Sequence, residues 1–295
     1  MDITSNNYRI LNTSQLDDFF TNGYLRLPGI VKPGLLNKLR VLFDELINRN
    51  QPSDEKAVII KNGKTYVTNL DNICSKANLS CLELLGSPLI LELAATICGD
   101  DFFLIQEFAV IKWAGDQLPV LWHQDMVHQR SGKCFTMGIY LDDATENEGA
   151  LRIVPGSHLD DRNICELCKE PAIDVPMKAG DILIHDMMLA HSSGLMNKNP
   201  VRRVIYFEFL SAAHVLKENI YSIELVNRRT RLLFAATRHY QLLHPGEEFF
   251  IHKKINPAPQ DDEKDINQVL TEIYKEPIHA RPSAYCLENI HIQSS

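Results

Sequence analysis

No run of apolar residues in the chain approaches the ~20 needed to cross a bilayer. The opening MDITSNNYRI has no basic stretch followed by an apolar one, so neither a membrane span nor a secretory leader is expected. Positive charge is also in deficit: 30 Lys and Arg stand against 38 Asp and Glu, a formal net charge of -8. A general nucleic-acid binder neutralises phosphates with clustered cations, so that class is not expected either. Internal repeats and low-complexity tracts are missing. Cysteine is sparse. Seven in 295 residues, an odd number scattered over a long chain, do not form the pattern of a disulfide framework. Cys165 and Cys168 make one C-x-x-C, but no second pair completes a zinc site, and two surface thiols are the plainer reading. The C-terminal HIQSS carries no known address. Together these absences predict a reduced, cytoplasmic, soluble protein without nucleic-acid or membrane partners, and they leave its oligomeric state open.

What is present is an ordinary globular composition, 45% hydrophobic and 23% charged. The length would suit one large β-rich domain or two average ones; residues 1–295 are read here as one. Residues 1–100 look mainly helical with short strands. Ser14 and Asp17 resemble a capping box for a helix ending near Gly23, Tyr24 to Leu27 reads as a strand, and Pro33 opens a second helix. A third covers about 88–97 and stops at Gly99. From 101 to 210 the texture changes to strands at 103–113, 134–141, 150–154, 181–185 and 201–210, separated by Gly and Pro turn signals. Such spacing predicts an antiparallel sandwich or barrel, mainly β with helical decoration. Residues 211–295 turn helical again, chiefly over 216–241, with a solvated polar loop at 260–265.

The chemistry begins at Trp122-His123-Gln124-Asp125. A His and an Asp two apart on an extended strand share a face, so both can meet one ion, and imidazole with carboxylate suits iron, zinc or manganese. Alone, an H-x-D is a common accident. Farther on, Gly180-Asp181 leads into a strand and then to His191-Ser192-Ser193-Gly194. A distant His joining an H-x-D makes a two-His-one-carboxylate triad with open coordination positions. Arg202 lies eleven residues beyond His191 on the next strand. Its planar fork would suit the distal carboxylate of a dianion bound at that metal. Arg203 would face the other way, and a one-residue slip in register would exchange the two.

His123-Gln124-Asp125, Glu148-Gly149-Ala150-Leu151, Pro155-Gly156-Ser157-His158, Gly180-Asp181 and His191-Ser192-Ser193-Gly194 with Arg202 resemble, in order and spacing, the phytanoyl-CoA dioxygenase family. The resemblance runs from about residue 10 to 210 and leaves the last 85 residues unmatched. It implies a double-stranded β-helix, the cupin-like jelly roll. It also implies an iron(II) site at His123, Asp125 and His191, with 2-oxoglutarate held by Arg202 and Ser193 and dioxygen as co-reactant. Related halogenases carry a small residue where Asp125 stands, so halogenation is not expected and hydroxylation of a small molecule is. Nothing resembles a site for the adenine and phosphates of coenzyme A. The same three ligands would also serve a zinc hydrolase or survive in a non-catalytic cupin-like binding protein.

Other side chains are candidates for the same pocket. Thr136 could donate to the cosubstrate, Trp122 could wall the metal, and His128 could line the substrate pocket. Gln106, Phe108 and Lys112 share one strand face that the family alignment turns inward. A buried Lys112 would need a partner, either a ligand or a salt bridge. His158 and His185 read as structural, and Arg228-Arg229 as a solvated helical face.

Overall fold

The computed structural model describes residues 10–49, 55–75, 79–128, 133–253, 261, 264–276, 278, 282 and 284–288. Half of the polar loop expected at 260–265, residues 260, 262 and 263, lies outside them. Helix α1 spans Thr13–Asn22, two residues earlier than the Ser14 box would place it. Asn12 is the cap: its side chain accepts from the Gln15 N–H at 2.9 Å, and Gln15 accepts from the Asn12 N–H at 3.0 Å. Asn caps as well as Ser, and Gln15 at the third helical position completes the reciprocal pair. Gly23, at φ 80, closes the helix in the left-handed conformation. Strand β1 (Tyr24–Leu27) and helix α2 (Pro33–Asn48) follow.

The first hundred residues are less helical than expected, because strands β2 (Lys56–Lys61) and β3 (Lys64–Asp71) form a hairpin. Its turn, Asn62-Gly63, has both residues at positive φ (51 and 74), the mirror-image turn whose twist matches that of paired strands. Two more helices, α3 (Ser80–Leu85) and α4 (Pro88–Cys98), lead into strand β4 (Phe102–Trp113). Then come β5 (Val120–Gln124), β6 (Cys134–Tyr140), β7 (Leu151–Ile153), α5 (Ile164–Leu167), β8 (Ile173–Val175), β9 (Ile182–Asp186), β10 (His191–Ser193) and β11 (Val201–Ser211). The tail holds α6 (Ala212–Lys217), α7 (Ile223–Leu243), α8 (Ile266–Ile273) and β12 (Ala284–Tyr285). The single helix expected over 216–241 is therefore interrupted; Ser222 accepts from the Leu225 N–H and caps a new start.

The strands form two antiparallel sheets in a jelly roll. The larger runs β1-β9-β6-β11-β4-β3-β2 and the smaller β12-β5-β10-β7-β8. They face each other across a core of Tyr140, Leu183, Val204 and Tyr206 from the first and Leu151, Ile153 and Val175 from the second. They do not close into a barrel. Strand β11 alternates strictly: Val204 and Tyr206 enter this interior, while Ile205, Phe207 and Phe209 join the helices on the other side. Because both faces are covered, the strand is buried almost throughout.

The helices pack against the outer face of the larger sheet. Gly86 lets α3 touch α7, since a Cβ there would sit 2.0 Å from the Ala236 carbonyl oxygen. Arg229 is not on a solvated face, as its sequence context suggested; it is 2% exposed. Its Nε donates to the Leu104 carbonyl at 3.0 Å and its guanidinium pairs with buried Glu107, which also accepts from the Tyr274 hydroxyl. A buried cation survives in an apolar layer only with such a full set of partners. No described helix is long and apolar enough to cross a membrane. The cysteines depart from expectation as well: Cys165 is joined to Cys286 by a disulfide, across 121 residues of chain. A pairing so distant leaves no local signature in sequence.

Candidate active site

His123 and His191 are brought together by pairing, not by sequence. They are directly opposed on the antiparallel strands β5 and β10, with ring centroids 4.0 Å apart. Each ring is oriented by its own backbone: Nδ1 of His123 lies 2.7 Å from the Leu121 carbonyl, and Nδ1 of His191 lies 2.8 Å from that of Leu189. A carbonyl can only accept, so Nδ1 carries the proton and Nε2 presents a lone pair. Both Nε2 atoms converge on Asp125 Oδ1, at 3.4 and 3.6 Å. Asp125 follows β5 directly, and its other oxygen accepts from the Thr136 hydroxyl at 2.7 Å.

The electrostatics match. Burial, reinforced by His123, pushes the His191 imidazole well below its ordinary value, with Asp125 only partly offsetting. Burial alone would raise the Asp125 carboxyl, but His191, His123 and His185 outweigh it and hold the group below the usual carboxylate range. One donor atom from each of the three residues lies within 4.8 Å of the others. Lone-pair imidazoles and an ionised carboxylate on one side of a buried space are the donor set that a first-row divalent ion requires.

Arg202 enters the same interior from β11 and is 1% exposed. It donates to the Gly149 carbonyl and lies 3.4 Å from Ser193 Oγ, which itself donates to the Gly149 carbonyl at 3.0 Å. The Tyr206 hydroxyl interacts with Arg202 and with Tyr140. The buried Nε of Arg202 has no partner among the described residues, which leaves one edge of the guanidinium for a carboxylate. Gly149, at φ 77, makes room: a Cβ there would stand 3.4 Å from Arg202 Cδ and 3.1 Å from Met196 Cγ. Arg203 faces the helical layer, paired with Asp142 at 2.8 Å and with Asp44.

Several expected pocket residues are placed differently. Thr136 spends its one proton on Asp125, so it steadies the carboxylate rather than donating to a cosubstrate. Trp122 points away from the metal side. As the neighbour of His123 on an alternating strand, it packs with Val154, Ile164 and Ala190 on the outer face of the small sheet. Lys112 is satisfied by backbone carbonyls rather than by a salt bridge. Its ammonium donates to the carbonyls of Leu118 (3.1 Å), Ser193 (3.2 Å) and Gly194, tying down the chain beside Arg202. Burial, then the Arg202 charge, lowers its pKa to about 7. Phe108 stacks on Tyr206 at 5.2 Å. Gln106 donates to Glu208 at 2.5 Å. His158 donates from Nε2 to the Phe20 carbonyl at 3.1 Å, a local structural contact. His128 faces His214 at 3.1 Å.

Two site neighbours, Glu208 and Tyr285, lie outside the sequence reading, and a third, His185, enters it only as a structural residue. Glu208 lies on the Arg202 face of β11, two and four residues beyond Tyr206 and Val204, a period-two signal that was there to read. Burial, then Asp125, raises its carboxyl well above the ordinary value. His185 sits with Nδ1 3.9 Å from Asp125 Oδ2 and its ring 4.6 Å from that of His191. Tyr285, from the far end of the chain, stacks on His123 at 5.3 Å, and only tertiary structure could reveal it.

A 142-residue stretch is 27% identical to L-proline trans-4-hydroxylase of Streptomyces griseoviridis, covering 46% of this chain and 51% of that protein. The chain thus spans about half the length of the curated relative it matches. The crystal structure of AviO1 from Streptomyces viridochromogenes Tue57 is similar over 68% of this chain and 95% of its own, at 26% identity and a TM-score of 0.62. EctD from S. alaskensis, crystallised with 2-oxoglutarate and 5-hydroxyectoine, shares the fold at 18% identity, with a TM-score of 0.61 over 70% of this chain and 79% of its own. The family model for phytanoyl-CoA dioxygenase matches residues 19–204, which takes in His123, Asp125, His191 and Arg202; the chain belongs to that family of iron(II)- and 2-oxoglutarate-dependent oxygenases.

Proposed function

We propose that this chain is an iron(II)- and 2-oxoglutarate-dependent dioxygenase that hydroxylates an unactivated C–H bond of a small-molecule metabolite. His123, Asp125 and His191 hold the metal, and Arg202 with Ser193 takes the distal carboxylate of 2-oxoglutarate. When bound, iron, 2-oxoglutarate and dioxygen supply an oxidant strong enough for that bond, with succinate and carbon dioxide as co-products.

The chain's own residues do the positioning. The Leu121 and Leu189 carbonyls fix both imidazole tautomers, and Thr136 turns Asp125 so that Oδ1 faces the histidines. Lys112 pins the Ser193–Gly194 backbone beside Arg202. Leu183, Val204 and the Phe108–Tyr206 stack keep the interior apolar, which strengthens each polar contact made there. Gln106, Phe108 and Glu208 face this interior and would meet the substrate. A buried acid–amide pair of this kind favours a compact polar molecule, and the similarity to a hydroxylase of L-proline points the same way.

The observation that carries the reading is the coincidence of two features in one buried space: three metal donors aimed at a point, and a guanidinium with an unspent edge. The test is to load the purified chain with iron(II) and 2-oxoglutarate and screen small-metabolite pools for a mass gain of one oxygen coupled to succinate release. Zinc held tightly at His123, Asp125 and His191, with no 2-oxoglutarate-dependent succinate, would make the chain a hydrolase or a binding protein instead.

A further inference from the structure

Outside the triad, the described residues hold a second cluster of donors with different chemistry. His128 lies three residues past Asp125, Cys134 opens β6, and His214 lies in α6. One donor atom from each lies within 4.8 Å of the others, and the two imidazoles meet at 3.1 Å through His214 Nε2 and His128 Nδ1. The other nitrogen of His214, Nδ1, lies 3.2 Å from the Glu218 carboxylate with both side chains buried, an ion-pair contact that is not aligned as a hydrogen bond. A carboxylate behind a histidine is the usual support of a ligating imidazole, because it fixes the tautomer and raises the basicity of the opposite nitrogen.

The backbone under each donor is anchored. The Met126 N–H donates to the Met187 carbonyl and the Met187 N–H to that of Cys134, so the segments bearing His128 and Cys134 are linked. Ser211 caps α6 by accepting from the His214 N–H, and its own N–H donates to the Lys133 carbonyl. Cys134 and Thr136 share the inner face of β6, two residues or roughly 7 Å apart along the strand. The cluster is therefore the immediate neighbour of the Asp125 carboxylate, yet shares no ligand with it.

From this geometry we infer a second metal site, with His128 Nδ1, Cys134 Sγ and His214 Nε2 as ligands and Glu218 as the support of His214. A thiolate with two imidazoles selects zinc or a similarly soft divalent ion, whereas the triad, lacking sulfur, suits iron. Binding replaces the Cys134 S–H bond with a metal–sulfur bond and releases one proton to solvent. Three protein ligands leave a fourth tetrahedral position for water or a small molecule. The ion would join the stretch after Asp125, the start of β6 and the C-terminal extension into one unit beside the oxygenase centre.

Cobalt(II) is the probe, since a cobalt–thiolate bond absorbs by charge transfer and a His-Asp-His site cannot. Metal-stripped protein titrated without oxygen should develop that absorption as one site per chain fills, the triad taking up to a second equivalent without it, and added zinc should bleach it. The band should persist when both His123→Ala and Asp125→Ala are introduced, vanish in Cys134→Ser and His128→Gln, and need roughly 10- to 100-fold more cobalt in Glu218→Gln. A wild-type chain with no thiolate band, a band lost with the triad, or one that survives His128→Gln would overturn the inference. His128 is half-buried and has the least packing to lose, so its variant decides the matter if Cys134→Ser fails to fold.

Discussion

Replacing Arg202 separates cosubstrate binding from folding, and the structure sets the size of the effect. The guanidinium is buried, leans on Gly149 and Ser193, and keeps one edge unspent. A carboxylate docked there would gain two charge-assisted hydrogen bonds, each worth about 1.5–3 kcal/mol. Arg202→Ala removes both, about 3–6 kcal/mol, which at ~1.4 kcal/mol per decade is a roughly 10²- to 10⁴-fold weaker hold on 2-oxoglutarate. Arg202→Lys keeps the charge but not the fork, so it should lose about one bond, roughly 10- to 10²-fold. Titrating 2-oxoglutarate into the iron(II)-loaded protein without oxygen reads this directly, through the metal-to-ligand charge-transfer absorption, and needs no knowledge of the substrate. Arg203→Ala is the control: its partners Asp142 and Asp44 lie on the helical side, so it should lower the melting temperature and leave the titration alone. If Arg203→Ala weakened 2-oxoglutarate and a folded Arg202→Ala did not, the assignment of the interior face of β11 would be wrong.

Thr136→Val keeps the shape but removes the donor to Asp125 Oδ2; iron affinity should fall roughly 10- to 100-fold, as measured by competition with a chelator. Gly149→Ala forces a side chain into left-handed backbone at a cost of about 1–2 kcal/mol and crowds Arg202 Cδ, so stability and cosubstrate affinity should drop together; intact affinity would show that the arginine does not depend on that turn. Without metal, stability should decline on acidification from about pH 6.5 towards 4. Burial holds His191, His185 and His252 below their ordinary values, His252 at about 4. The unfolded chain then binds more protons in that window, so stability present above it is lost as pH falls; a melting temperature flat from pH 7 to 4 would contradict this. Digestion without reductant should yield Cys165 and Cys286 as one linked peptide pair, and separate thiol peptides would refute the pairing.

Much of the site could be read before folding, because its parts obey local rules. His123 and Asp125 share a face through period-two alternation, Pro33 and Gly23 punctuate helices, and the arginine pair announces that one member must turn inward. The same alternation would have found Glu208, and the Asn62-Gly63 turn would have found the hairpin. Other features are invisible to any local rule. That His191 opposes His123 is a fact of strand pairing across 68 positions, since 191 − 123 = 68. That Arg202 rather than Arg203 faces the histidines depends on register with β4 and β6. The destination of Thr136's proton, the burial of Arg229, the Cys165–Cys286 bond and the meeting of His128, Cys134 and His214 were all decided by contacts between distant segments. Local propensity and periodicity determine which face a residue takes. Only the packing of the sheets and helices, which buries those faces together, decides what each face meets.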